Sequence, residues 1–79
     1  MQIENEIKNI VTVFFMEHEE TQDDQFGYVT EKVDRIKALN EGEAWIAFNM
    51  LHPIVRKLLF SKLSEEAQKF LIKNEVYIP

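Results

Sequence analysis

Apolar residues recur along most of this chain at the three- and four-residue spacing of helices. Ile3, Ile7, Ile10 and Phe14 share one narrow face, and Val11 widens it. Glu4 and Glu6 stand in the opening turn, where the helix dipole favours negative charge. This predicts a helix over 2–19. Val13, Phe15 and Met16 lie off the stripe, so the second half of this helix is apolar nearly all round. Such a segment is either wrapped by the rest of the fold or meets another chain on one side. Ile10 to Phe15 also has strand propensity, but no second strand of similar quality exists to pair with it, and helix is the reading adopted. From Glu17 to Gln25 there is no apolar residue, which predicts a loop. A second helix over 24–39, capped by Asp23 or Asp24, presents Phe26, Val29, Val33 and Ile36 inward, with Tyr28 and Leu39 extending that face. Gly27 weakens its first turn by about 1 kcal/mol against alanine. Glu31 and Arg35 are placed to pair on its outer side.

The last half of the chain repeats itself. Leu51 to Lys62 and Leu63 to Asn74 agree in character at almost every position, and a fainter copy opens at Leu39. Asn40, His52 and Ser64 follow the three leading leucines, and Glu41, Pro53 and Glu65 come next. Asn and Ser are strong N-cap residues, and Pro and Glu suit a first helical turn. Ile46/Leu58/Phe70, Ala47/Leu59/Leu71 and Phe48/Phe60/Ile72 then form matching apolar columns. Helices are predicted near 41–50, 53–62 and 65–73, with Asn74 taking the left-handed position after the last and residues 75–79 an extended tail. Helices of about two turns are unstable alone in water and must bury their faces on neighbours.

This spacing resembles the short-helix repeats in the N-terminal domain of some magnesium transporters and in flagellar switch proteins. There a Leu-Pro-x-x-x-Ala-x-x-Leu-Leu pattern builds a right-handed superhelix. Here only Leu51-His52-Pro53 approaches the Leu-Pro pair. The resemblance implies a packing mode and no activity. The expected fold is all-α: a small bundle or short superhelical array of four to five helices, in one domain spanning 1–79.

Composition narrows the functions open to such a chain. At 79 residues there is room for one small domain, which buries roughly 60% of its unfolded surface. With no cysteine there is no disulfide, thiolate zinc site or thiol nucleophile. The net charge of −5 is uneven: residues 1–42 hold ten acids and four bases, residues 43–79 four acids and five bases. Acidity opposes a phosphate backbone. The longest uncharged apolar run, Ile10 to Met16, falls far short of the ~20 residues of a membrane span. The first residues lack the basic region of a signal peptide. A cytoplasmic location is expected.

Candidate chemistry is sparse. His18 stands among Glu17, Glu19, Glu20, Asp23 and Asp24, the one cluster of metal-ligand types. Glu17/Glu20 and Glu19/Asp23 could share helix faces, but His18 is off both, and counting back from Gly27 fails the calcium-loop pattern. These acids read as a solvated patch, with an acidic docking surface as the functional alternative. His52 reads as a helix-start residue, and Ser61 and Ser64 as a helix end and an N-cap. No glycine-rich phosphate loop is present. Ala38, Gly42 and Phe48 fit helix-turn-helix spacing, but the recognition helix, Glu43 to Asn49, would carry no Lys or Arg. Trp45 fills the slot taken by Lys57 and Lys69 in the other repeats, so it either covers the junction with the first two helices or anchors an interface. Arg56, Lys57, Lys62, Lys69 and Lys73 make a mildly basic face.

The expectation is a non-enzymatic, acidic helical module that binds another protein, itself as a homodimer included, through Val13, Phe15, Met16 and Trp45. It takes no metal or cofactor. An inhibitor, a DNA mimic or an adaptor of the kind mobile elements encode fits this description. A small helix-turn-helix regulator is the alternative, and a metal-dependent enzyme a weaker one. Duplex DNA titrated by fluorescence anisotropy at physiological salt should bind only weakly. Submicromolar binding with a steep salt dependence would contradict the acidic reading.

Overall fold

The structure, a computed structural model, describes residues 2–18 and 28–78. Five helices form a small bundle: α1 (Gln2–Glu17), α2 (Tyr28–Ala38), α3 (Ala44–Asn49), α4 (Pro53–Phe60) and α5 (Glu65–Lys73). No strand occurs among the described residues. The caps of the predicted second helix and its residue Phe26 lie outside them.

Helix α1 is the element the others gather on, packing directly against α2, α3 and α5. Its buried side chains are Glu4, Ile7, Val11 and Phe15. The core stripe is therefore displaced from the expected one: Ile3, Ile10 and Phe14 are only partly buried beside it. Three neighbours around one helix widen the buried face to include Phe15, while Val13 and Met16 stay exposed. Val29 and Ile36 of α2, Ala44, Ala47 and Phe48 of α3, Leu59 of α4, and Ala67 and Leu71 of α5 complete the core with Leu51 and Leu63.

Polar residues of α1 fix where the other helices begin and end. The buried Glu4 carboxylate accepts the Gly42 N–H at 2.6 Å. The Glu6 carboxylate accepts both the N–H and the hydroxyl of Ser64, each at 2.7 Å. The Lys8 ammonium donates to the Leu39 carbonyl at 2.8 Å, just past the end of α2, where a cation suits the helix dipole. Glu4 and Lys8 are four residues apart and share a face; Glu6, about 200° around the helix from Glu4, serves the opposite side.

Helix α3 starts three residues later than expected. The Glu43 N–H donates to the Asn40 carbonyl at 3.1 Å, and the Asn40 N–H donates to the Glu43 carboxylate at 2.7 Å. This closed turn holds Gly42 at φ 90°, a conformation that excludes a helix and favours glycine at the third turn position. A Cβ there would meet nothing within 4 Å, so backbone and not space demands the glycine. Asn40 is thus a turn residue and not the N-cap its repeat position implies. His52 and Ser64 do cap: the Ile54 N–H donates to the His52 Nδ1 at 3.3 Å and the Ala67 N–H to the Ser64 Oγ at 3.2 Å. Pro53 stands at the start of α4 as predicted. Helix α4 ends at Phe60, where the Ser61 hydroxyl donates to the Leu58 carbonyl at 2.7 Å.

The end of α5 also departs from expectation. Asn74 keeps φ −89°, and the left-handed residue is Glu75, at φ 58°. The Val76 N–H donates to the Leu71 carbonyl and the Glu75 N–H to the Ile72 carbonyl, both at 3.0 Å. This is the paired 6→1 and 5→2 closure that places the left-handed residue one position beyond the C-cap. The tail is not free: Val76 and Tyr77 pack on the core, and the Tyr77 ring stacks on Phe60 at 3.9 Å. A non-glycine residue in this conformation is strained by about 1–2 kcal/mol. Glu75→Gly should therefore raise unfolding free energy by about 1 kcal/mol. Urea denaturation checks this, and an unchanged or lower midpoint would show that the left-handed residue costs nothing here.

Candidate functional site

The two ends of the helix period separate the residues expected to form an interface. Residues two apart on a helix are about 200° around the axis from one another. Val13 and Phe15 accordingly face opposite ways. Phe15 is 2% exposed, with the Phe14 ring edge-on at 5.9 Å and the Lys32 ammonium 4.9 Å from its ring centre. It belongs to the core and is withdrawn from the interface set. Val13 is 40% and Met16 60% exposed. They line different grooves. Met16 lines a shallow groove with Val29 and Val33 of α2, whereas Val13 faces α4. Trp45 is half-buried and packed against the core, covering part of it. Lys57 and Lys69, its counterparts in the repeat, are exposed as expected.

The surface that collects exposed apolar residues lies between α1 and α4. A groove of about 400 Å³ is lined by Ile10, Val13 and Phe14 on one side and Leu58 and Leu59 on the other, with Glu17, His18 and Lys62 at its margins. Leu58 is 53% exposed. Ile54, one turn earlier on the same face of α4, is 74% exposed. Leu59 closes the floor and is buried. The groove exists because α4 is held from its other sides. The Arg56 guanidinium donates to the Asn49 side chain at 3.0 Å, and the Gln68 amide to the Phe60 carbonyl at 2.9 Å.

The repeat pattern raised Leu58 as an inward residue aligned with Ile46 and Phe70. Those two are half-buried and Leu58 is not. Only its column position marked it, and no sequence feature distinguished an exposed member from its partners.

The groove lining includes one acid, Glu17, and one base, Lys62. Lys62 is two residues before Ser64, which is bonded to Glu6 near the start of α1. Glu17 lies eleven residues further along α1 than Glu6, about 16 Å at 1.5 Å per residue. No ion pair joins Glu17 and Lys62; the two surface pairs seen among the described residues are Glu31–Arg35, as expected from sequence, and Glu65–Lys69. Both pairs are exposed and contribute little.

His18 is turned back onto its own helix. Its ring stacks on Phe14 at 4.2 Å and its Nδ1–H donates to the Phe14 carbonyl at 2.9 Å, closing the end of α1. Of the acidic patch, Glu17 is exposed, and Glu19, Glu20, Asp23 and Asp24 lie outside the described residues. Among the described residues no group of three His, Asp or Glu could hold a metal, and no helix is long and apolar enough to cross a membrane. Of the helix-turn-helix candidate, α3 has six residues, three of them buried. Comparison with known protein families, curated proteins and solved structures finds no match to this chain.

The division between core and groove is testable by substitution. Phe15→Glu should destabilise by at least about 3–5 kcal/mol, the usual cost of truncating a buried aromatic before any charge is added. Val13→Glu should cost no more than about 1 kcal/mol. Chemical denaturation monitored by circular dichroism separates the two, and equal effects would refute the assignment.

Proposed function

We propose that this chain is a protein-interaction module that docks a partner protein in the groove between α1 and α4, acting by occupancy as an inhibitor or adaptor does. The supporting observation is that Val13 of α1 and Leu58 of α4, both exposed and apolar, line one groove, with exposed Ile54 one turn before Leu58 on α4. Scattered surface leucines need no explanation, but apolar residues gathered along a groove mark an interaction surface. An occupant that fits this groove is an apolar ridge carrying a base where it meets Glu17 and an acid where it meets Lys62. Charges at such a rim orient the partner more than they hold it, and the buried apolar centre supplies affinity.

A photo-crosslinking residue at position 58, introduced in the cell of origin, tests this. It should yield a discrete protein adduct that the same residue at position 69, on the exposed side of α5, does not, and Val13→Asp in the same chain should abolish it. Equal labelling from both positions, or indifference to Val13→Asp, would remove the groove from consideration.

A further inference from the structure

We infer that the occupant of the α1/α4 groove is an acidic amphipathic helix of a different protein; this rests on the docking reading above and names the partner's chemistry. Charge is the first ground. The chain carries 14 acids, yet none falls between Ala44 and Ser64, the stretch that holds α3 and α4. Its charged residues are Arg56, Lys57 and Lys62. Arg56 is engaged with Asn49. Ile54, Lys57 and Leu58 stand at three- and four-residue spacing on α4, so they share a face, and all three are exposed. Lys62 lines the groove with Leu58. Neither lysine is in an ion pair among the described residues. Glu17 is the one carboxylate of the lining, so α4 and the turn after it bring two bases against a single acid of α1. The open face of α4 is thus apolar and cationic in a chain whose net charge is −5. Charge at the edge of a contact repels like partners and selects unlike ones. A segment whose apolar residues are flanked by Asp or Glu meets both the ridge and the lysines.

Backbone hydrogen bonding is the second ground. No strand occurs among the described residues, so none offers a sheet edge to an extended segment. The walls of the groove are helices, whose mid-helix amides bond internally. An extended occupant would bury N–H and C=O groups without partners there. A helix satisfies its own and presents apolar side chains at three- and four-residue spacing to a groove. An anionic membrane would also meet the lysines, but it is a broad surface and would stand against the charge of the whole chain. A helix reaches only the groove.

The test uses the full chain with the photo-crosslinking residue at position 58, in the cell of origin, and sequences the crosslinked partner peptide by mass spectrometry. That peptide should carry apolar residues at helical spacing and more Asp and Glu than Lys and Arg. Lys57→Glu and Lys62→Glu should each lower the adduct yield by about 2- to 10-fold, and together by at least about tenfold. Lys73→Glu, outside the groove lining, should leave the yield unchanged. Urea denaturation should give each variant the wild-type midpoint. Where a reversal lowers the midpoint, Lys57→Gln with Lys62→Gln takes its place and should still cut the yield. A basic or neutral partner segment, one without helical spacing, an adduct between two copies of this chain, or a yield indifferent to both lysines would each overturn this inference and leave the docking reading standing. Adducts with lipid alone, or no adduct at all, would sink both.

Discussion

The fold depends on the polar flanks of α1 supplying the hydrogen-bond acceptors and donor that the short helices lack. A helix of six to nine residues spends a large share of its length on unsatisfied backbone groups, and nucleating it is unfavourable without outside support. Glu6 shows how the support works. Its two oxygens hold the N–H and hydroxyl of Ser64, and the oriented Ser64 oxygen then accepts the Ala67 N–H of the first turn of α5. The carboxylate also adds negative charge beside a helix start, where the dipole favours it. Glu4 does the corresponding task for the turn that enters α3, and Lys8 for the exit from α2. One helix thereby sets the ends of three others, and apolar burial acts on elements already held in position.

Burial of Glu4 carries a penalty that this arrangement must offset. Glu4 is 4% exposed as a residue, and a carboxylate taken out of water gives up hydration that its remaining bonds must replace. The short bond to the Gly42 N–H is charge-assisted and so stronger than an ordinary amide bond. Removing the carboxylate would leave that N–H without its acceptor, a loss of the order of 1–3 kcal/mol where water cannot replace it. Small domains have thin margins, so such a tie matters here more than it would in a large protein. It also accounts for an acidic residue standing in the buried stripe of α1 together with Ile7, Val11 and Phe15.

That same tie marks the limit of what the sequence discloses. Helix content, the order of helices, the caps at His52 and Ser64 and the Glu31–Arg35 pair follow from local rules, and local rules are legible in one chain. Glu4 reads locally as a dipole partner of its own helix, and nothing near it points to Gly42, 38 positions away. The spacing places Ile7 and Val11 in the core, where they are, but not Glu4, since a carboxylate scores as an outward residue. Asn74 and Glu75 were exchanged for a related reason: Asn has the better left-handed propensity, but the hydrogen-bond closure at the end of α5 fixes which position must adopt it. Phe15 parts from Val13 and Met16 by the period itself, which turns it about 200° and 100° away from them.

The candidate groove comes from regularity meeting a geometric restriction. Three repeat units place an apolar residue at the same slot, and each unit's neighbour in that column reaches the core, at Ala47, Leu59 and Leu71. A single straight helix cannot lie against all three units equally. Helices α3 and α5 pack on α1 directly, and α4, between them in sequence, stands off with only Leu59 fully engaged. The slot residue of α4 is therefore left half outside, opposite Val13, although nothing in the pattern marks Leu58 as different from Ile46 or Phe70. A chain with no need of a partner could hold a polar residue at that slot without loss to its core, because Leu59 already fills the buried position. Keeping Leu58 and Ile54 apolar on the open face of α4 makes sense where that face is covered in the working state, and this physical asymmetry, more than the acidity of the chain, gives the docking reading its weight.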